Sequence, residues 1–404
     1  MKTKFNFVIC NSYIFLWLLY NFHWNNMDEM FPRINALSNL FLGINLIISL
    51  YGTVKVVNKY PQTRIFKILN ILVALFAIYG FFSIIQGTKV YKADSGGYIN
   101  SGTYLIGALR TFLPIYTCFL FSKLGCITEK VLRVWFWIFL VETFFFYMYF
   151  RISVGLTGYD EMGTNNRGYL FVYLIPFLFF FRKNNVLVYI LAAVFLFFTM
   201  LSLKRGAIVI TIMALFYFLF HQMKHIKKTK KILSLIVLSI IIAWGSSAIT
   251  NIYNNDRFQQ RIDLTLEGNS SGRDDIARSL MEIYLNSDIF HLFFGYGADG
   301  TLQYGNYAHN DWLEMLFDQG LLGFSVYLCF WFAIIRIWYK ESKNNTEMAF
   351  LLGLIIMCSF PKTFFSMWYS MANIFITMPM GYCLYHIISE HKHSLNKRTS
   401  MISI

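Results

Sequence analysis

The sequence predicts an all-α membrane protein that crosses the bilayer many times, on three observations. Hydrophobic residues make up 57% of the 404-residue chain and charged residues only 14%, where soluble domains carry about 25% charged residues. The apolar residues fall into repeated runs of about 20, the length an α-helix needs to cross a hydrocarbon core. Lys and Arg gather in alternate loops between those runs, which is the bias that orients a polytopic protein.

Taken in order, twelve apolar segments are expected to be helical: 5–22, 35–54, 66–86, 102–122, 131–150, 168–181, 186–202, 206–221, 232–250, 319–338, 348–365 and 371–388. Lys2 and Lys4 precede the first, as in a signal peptide. No small-residue cleavage site follows, so it reads as an uncleaved span. The sixth is short and contains Pro176, which predicts a tilt, a kink or help from its flanks. The eleventh and twelfth are close enough together to form a re-entrant pair. No internal repeat is visible.

The net charge of +14 does not mark a nucleic-acid binder, because the bases are not gathered into a soluble patch. With a cytoplasmic N-terminus, the inside segments hold 22 of the 35 Lys and Arg. Both termini are then cytoplasmic, and the long polar loop 251–318 is extracytoplasmic. At about 68 residues that loop is too long to be a bare connection and is expected to fold or to lie on the membrane. Residues 276–285, IARSLMEIYL, have an amphipathic helical pattern with Ser271 or Asp274 near its start, and 295–297, GYG, mark a turn. All six cysteines lie in or beside apolar runs and none in this loop, and no CxxC or Cys/His metal spacing occurs.

Five places carry candidate chemistry. In SLKRGAIVI (202–210), Lys204 and Arg205 stand between two spans against the positive-inside bias. They are either a hydrated turn with snorkelling bases or an anion site. In SSGRDDIARS (270–279), Arg273 precedes two aspartates at a possible helix start. It is either a local ion pair or a functional group. In 304–323, YGNYAHNDWLEMLFDQGLLG, His309 can accept a proton near neutral pH. A continuous helix would put His309, Leu313, Leu316, Gly320 and Gly323 on one face and Asp311, Glu314 and Asp318 on another, whereas Asn310 as a cap would leave His309 outside it. Arg110 and Glu142 lie within spans, either as functional groups or as a pair locking two helices. Asn165, Asn166 and Arg167 in GTNNRGY (163–169) read as a turn or as sugar-binding groups. Tyr296, Tyr304, Tyr307 and Trp312 are placed to stack on sugar rings, although interface anchoring explains most of the 78 aromatic residues.

These motifs together resemble the bacterial O-antigen polymerase/ligase superfamily. His309-Asn310, nine residues, Gly320, two residues and Gly323 is similar to the family's histidine motif. Arg205 in SLKRGA looks like its span-end arginine, with Lys204 where a small or polar residue is usual. Arg273 in SGRDD looks like the arginine that opens its large loop, and GYGADG (295–300) resembles the turn before the histidine. The resemblance covers about 200 to 325 and implies a GT-C-like inverting glycosyltransferase in the bacterial cytoplasmic membrane. Such an enzyme joins polyprenyl-pyrophosphate-linked oligosaccharides to a glycan acceptor with no cofactor and no metal. By resemblance, Arg205 and Arg273 hold the pyrophosphate and His309 is the base. Lys204, Asn310, Asp311, Glu314, Arg110 and Arg167 are the further substrate-binding candidates, with Asp311 or Glu314 the reserve base. The leading expectation is a repeat-unit polymerase for O-antigen, capsule or exopolysaccharide. The alternatives are a ligase transferring finished glycan to lipid A core or protein, and a lipid-oligosaccharide flippase. Partners implied are membrane lipid, a separate flippase and a chain-length regulator. The expected organisation is N-terminal spans in 1–200, a catalytic region in 201–325, and C-terminal spans with a cytoplasmic tail in 326–404.

Overall fold

The computed structural model describes residues 2–25, 35–60, 63–87, 89–92, 97–100, 102–156, 166–225, 273–304 and 307–402. Its helices are α1 (Lys2–Asn25), α2 (Asn35–Lys59), α3 (Arg64–Ile85), α4 (Gly102–Lys123), α5 (Glu129–Leu156), α6 (Gly168–Leu174), α7 (Asn185–Leu201) and α8 (Arg205–His225). They are followed by α9 (Arg273–Leu285), α10 (Ile289–Phe294), α11 (Gly300–Gln303), α12 (Asp311–Lys343), α13 (Glu347–Ser359), α14 (Lys362–Phe365) and α15 (Ile374–Ile402). Among the described residues, seven helical stretches are long and apolar enough to cross a membrane. The expected ninth segment, 232–250, lies outside the described residues, as do Asn165, Arg257, Arg261 and 251–272.

One departure from the all-helical expectation sits between α3 and α4. Strands β1 (Lys89–Lys92) and β2 (Gly97–Asn100) form an antiparallel hairpin that pairs Lys89 with Asn100 and Lys92 with Gly97. A second concerns the sixth apolar segment. After α6 the backbone tightens into a 3-10 helix over Ile175–Phe181, with Pro176 at its start. Proline has no N–H for an α-type bond, so the change falls where the sequence puts it. All seven residues of this 3-10 helix are buried, so the short segment is covered by protein on every side.

Helix α4 is the central post of the bundle. It is buried along most of its length and packs against α2, α3 and α15. Its neighbours approach closely through small residues: a side chain on Gly80 would strike Leu105, and one on Gly381 would strike Cys118. Small residues at crossings allow van der Waals packing between helices that lipid alone would not drive together. The outward faces carry bulky apolar side chains such as Phe81, Phe82, Val141 and Phe216, as a lipid-facing surface requires. At one end of the bundle, Arg182 bonds both Glu129, at 3.3 Å, and Glu347, at 2.6 Å, tying the starts of α5 and α13 together.

Candidate functional site

His309 lies before the helix, not within it. The Asn310 side chain caps α12, its carbonyl oxygen accepting from the amides of Trp312 at 2.9 Å and Leu313 at 3.4 Å. His309 itself has φ 53°, a left-handed backbone costing about 1–2 kcal/mol in a non-glycine residue. That geometry is held from both sides, because the Ala308 amide donates to Glu314 Oε1 at 2.7 Å while Asn310 is engaged as the cap. The half-buried imidazole is therefore presented by a turn with clamped flanks.

The single-face arrangement of His309 with Gly320 and Gly323 does not form. Helix α12 breaks at Gly320 (φ 64°, ψ −164°). The break frees the Phe317 and Asp318 carbonyls from their helical partners, and the Tyr296 and Gly297 amides take them at 2.8 and 2.9 Å. A side chain on Gly320 would collide with the Phe293 carbonyl, and one on Gly295 (φ 74°) with that of Asp318. A second backbone does come close at Gly320: the end of α10 and the turn after it, at Phe293 and Gly295.

Asp311, Glu314 and Asp318 do share a face, and it points inward. Asp311 accepts from the Trp368 amide at 2.8 Å, the Tyr369 amide at 3.2 Å and the Tyr327 hydroxyl. Glu314 accepts from Ala308 and from the Thr301 hydroxyl at 2.7 Å. Asp318 accepts from the Thr301 amide at 3.1 Å. These carboxylates fasten Thr301, Ala308, Trp368 and Tyr369 to the first turns of α12.

The basic residues converge elsewhere. Arg205 opens α8 after a turn with Leu203 at φ 53°, where Ser202 Oγ accepts from the Lys204 amide at 3.3 Å. The next residue, Gly206, leaves room for the Tyr169 hydroxyl and the Phe365 side chain. Arg273 opens α9, donates to the Phe365 carbonyl at 2.8 Å and lies within electrostatic reach of Tyr169. From the third side, the Trp312 indole donates to Thr363 Oγ1 at 2.9 Å and packs on Phe360 and Phe364. Three segments far apart in the chain thus meet on α14: the start of α8, the start of α9, and the helix that His309 precedes.

Arg110 donates to the Ser370 carbonyl. The expected Arg110–Glu142 pair is absent: both buried Glu142 oxygens lack a hydrogen-bond partner among the described residues. Arg167 precedes α6 and flanks Gly168, whose missing side chain admits Ser202. Burial lowers its pKa to about 10, so it stays charged at neutral pH. Sequence reasoning missed Lys362. Its ammonium donates to the Met367 carbonyl at 2.8 Å, lies 5.0 and 5.2 Å from the Tyr169 and Tyr173 rings, and is within electrostatic reach of Asp311, Arg110 and Lys204. The available signal was a lone lysine closing an apolar run.

Residues 187–328 match a family model described as O-Antigen ligase. No curated protein matches the chain. The matched stretch contains Lys204, Arg205, Arg273 and His309 with the turn that presents it, and over this region the chain is similar to the O-antigen ligase/polymerase superfamily of membrane proteins.

Proposed function

We propose that the protein is a polysaccharide polymerase. It joins polyprenyl-pyrophosphate-linked repeat units of O-antigen, capsule or exopolysaccharide at the outer face of the bacterial cytoplasmic membrane. The observation that carries this reading is the convergence on Phe365 of Arg273, which donates to its carbonyl, and of the start of α8, where Gly206 next to Arg205 abuts it, beside the helix that follows His309. Two arginines from separate segments suit a pyrophosphate, which takes several charge-assisted hydrogen bonds. Lys204 adds positive charge at the same turn.

In the reaction, an acceptor hydroxyl oxygen attacks C1 of the donor sugar. The C1–O bond to pyrophosphate breaks, and lipid pyrophosphate leaves with its charge held by Arg205 and Arg273. The hydroxyl proton passes to a His309 ring nitrogen. Attack opposite the leaving group inverts C1, and no metal enters the step. The reading includes a GT-C-like, twelve-span architecture with cytoplasmic termini and the catalytic region in 201–325. The polyprenyl chain lies along the apolar helices, and a separate flippase supplies the lipid-linked unit. The matched model's description favours one second reading, a ligase that transfers finished glycan.

Deletion of the gene separates the two. A polymerase mutant leaves a single repeat on its acceptor, and a ligase mutant accumulates long lipid-linked chains. Purified protein that moves lipid-linked sugar across liposomes without extending or transferring it would overturn both.

A further inference from the structure

A small pocket of about 60 Å³ opens next to the turn that presents His309. Tyr104, Arg110, Asp299, Tyr307, Tyr369 and Ser370 line it. A space of this size takes several waters or one edge of a sugar, and not a whole ring. Tyr307 is two residues before His309, and Arg110 reaches across to the Ser370 carbonyl.

Asp299 distinguishes the pocket. It is 4% exposed and sits in a left-handed backbone, φ 55°. Its carboxyl accepts no hydrogen bond from the described residues. Asp311 and Glu314 spend both oxygens on protein donors. Asp299 alone among these carboxyls faces the cavity. A buried carboxyl with no donor among the described residues needs one from water or a ligand in the cavity.

We propose that this pocket is the acceptor-sugar subsite: one edge of the sugar enters, a ring hydroxyl donates to Asp299, and the Tyr104 and Tyr307 rings flank it. The inference rests on the glycan-transfer reading. It assigns the acceptor rather than the donor, because the space admits one sugar edge and not a lipid pyrophosphate. The two arginines that suit pyrophosphate open α8 and α9, whose starts both reach Phe365. The acceptor hydroxyl then reaches His309 from the Tyr307 side.

The test uses the full chain in lipid nanodiscs, the host's lipid-linked repeat unit as donor, and the same oligosaccharide released by mild acid as acceptor. Asp299→Asn keeps the shape and tolerates the left-handed backbone. It should raise the acceptor KM about tenfold and leave the donor KM and the melting temperature unchanged. An unchanged acceptor KM, or a raised donor KM alone, overturns the subsite. A second measurement reads binding without turnover. With Cys329→Ser removing the exposed native thiol, a cysteine introduced by Ser370→Cys is labelled with a small thiol reagent. The free oligosaccharide should slow that labelling, and unchanged labelling counts against the pocket. If His309→Ala, Arg205→Ala and Arg273→Ala all keep full extension, the glycan-transfer reading fails. If those variants lose extension while both pocket measurements are negative, only the subsite fails.

Discussion

Asp311 and Glu314 lie within one turn of each other at the start of α12, fully buried, with every carboxylate oxygen accepting a hydrogen bond. Arg205 and Arg273 open two other helices and are only half-buried; Arg273 bonds the Phe365 carbonyl, and Gly206, next to Arg205, abuts the same residue. The same stretch of chain therefore places its acids inward and draws its bases to an accessible rim. The buried acids replace water as acceptors for backbone amides of irregular segments, which cannot satisfy one another as a helix does. The basic rim keeps its charge where an anionic ligand can reach it.

The largest effect expected from breaking this contrast is on the rim. Arg205→Ala and Arg273→Ala should each cut the rate of glycan extension at least about a hundredfold, with no change in melting temperature. Rates and melts on the same preparation check both halves. Loss of the fold in either variant would put that arginine among the scaffold residues.

On the acidic side the order reverses. Glu314→Ala strands the Ala308 amide and the Thr301 hydroxyl in the interior, and should cost about 2–4 kcal/mol of stability. Thermal melting in nanodiscs reads the loss. Extension per folded molecule should also fall, because the turn before Asn310 loses its clamp.

The smallest effect sharpens the comparison through pH. Burial pushes the Asp299 carboxyl up to about 7, from 3.8 in an unstructured chain. Glu314, Asp318, Arg110, Tyr104, Tyr307 and Tyr369 are its charged or titratable neighbours. Between these two pKa values the unfolded chain gives up the proton and the folded chain keeps it. The stability this group contributes is thus complete below about pH 4 and lost as pH rises through 7, by at most about 1.4 kcal/mol per pH unit. Melting temperatures from pH 4 to 8 should fall more steeply for the native chain than for Asp299→Asn.

Helix positions were legible because apolar runs end at charges and turn residues. Segments predicted at 66–86, 102–122 and 186–202 appear as α3, α4 and α7, each within two residues. A joint role for Arg205 and Arg273 came from the family resemblance rather than from any local pattern, and the starts of their helices both reach Phe365. What the sequence hid depended on tertiary partners. Asn310 has the same letters whether it caps a helix or lies inside one, and its bonds to Trp312 and Leu313 decide between them. Gly320 reads as a helix-packing glycine until the Tyr296 and Gly297 amides are seen taking the carbonyls freed by its break. Acids spaced three and four apart look like a working face, because nothing local says that Thr301, Ala308, Trp368 and Tyr369 bond to them. Lys362 was a lone lysine at the end of an apolar run until Met367, Tyr169 and Asp311 surrounded it. Asp299 was read only as part of a turn.

The claim that the acids are scaffold and the histidine is the proton acceptor is tested most directly by Glu314→Gln. Glutamine keeps an oxygen for the Ala308 amide and can donate to the Thr301 hydroxyl, so the clamp survives while the basicity is gone. The account predicts extension within about threefold of the native rate, beside a loss of at least about a hundredfold in His309→Ala. A folded Glu314→Gln protein as inactive as His309→Ala would contradict it and make the carboxylate the base.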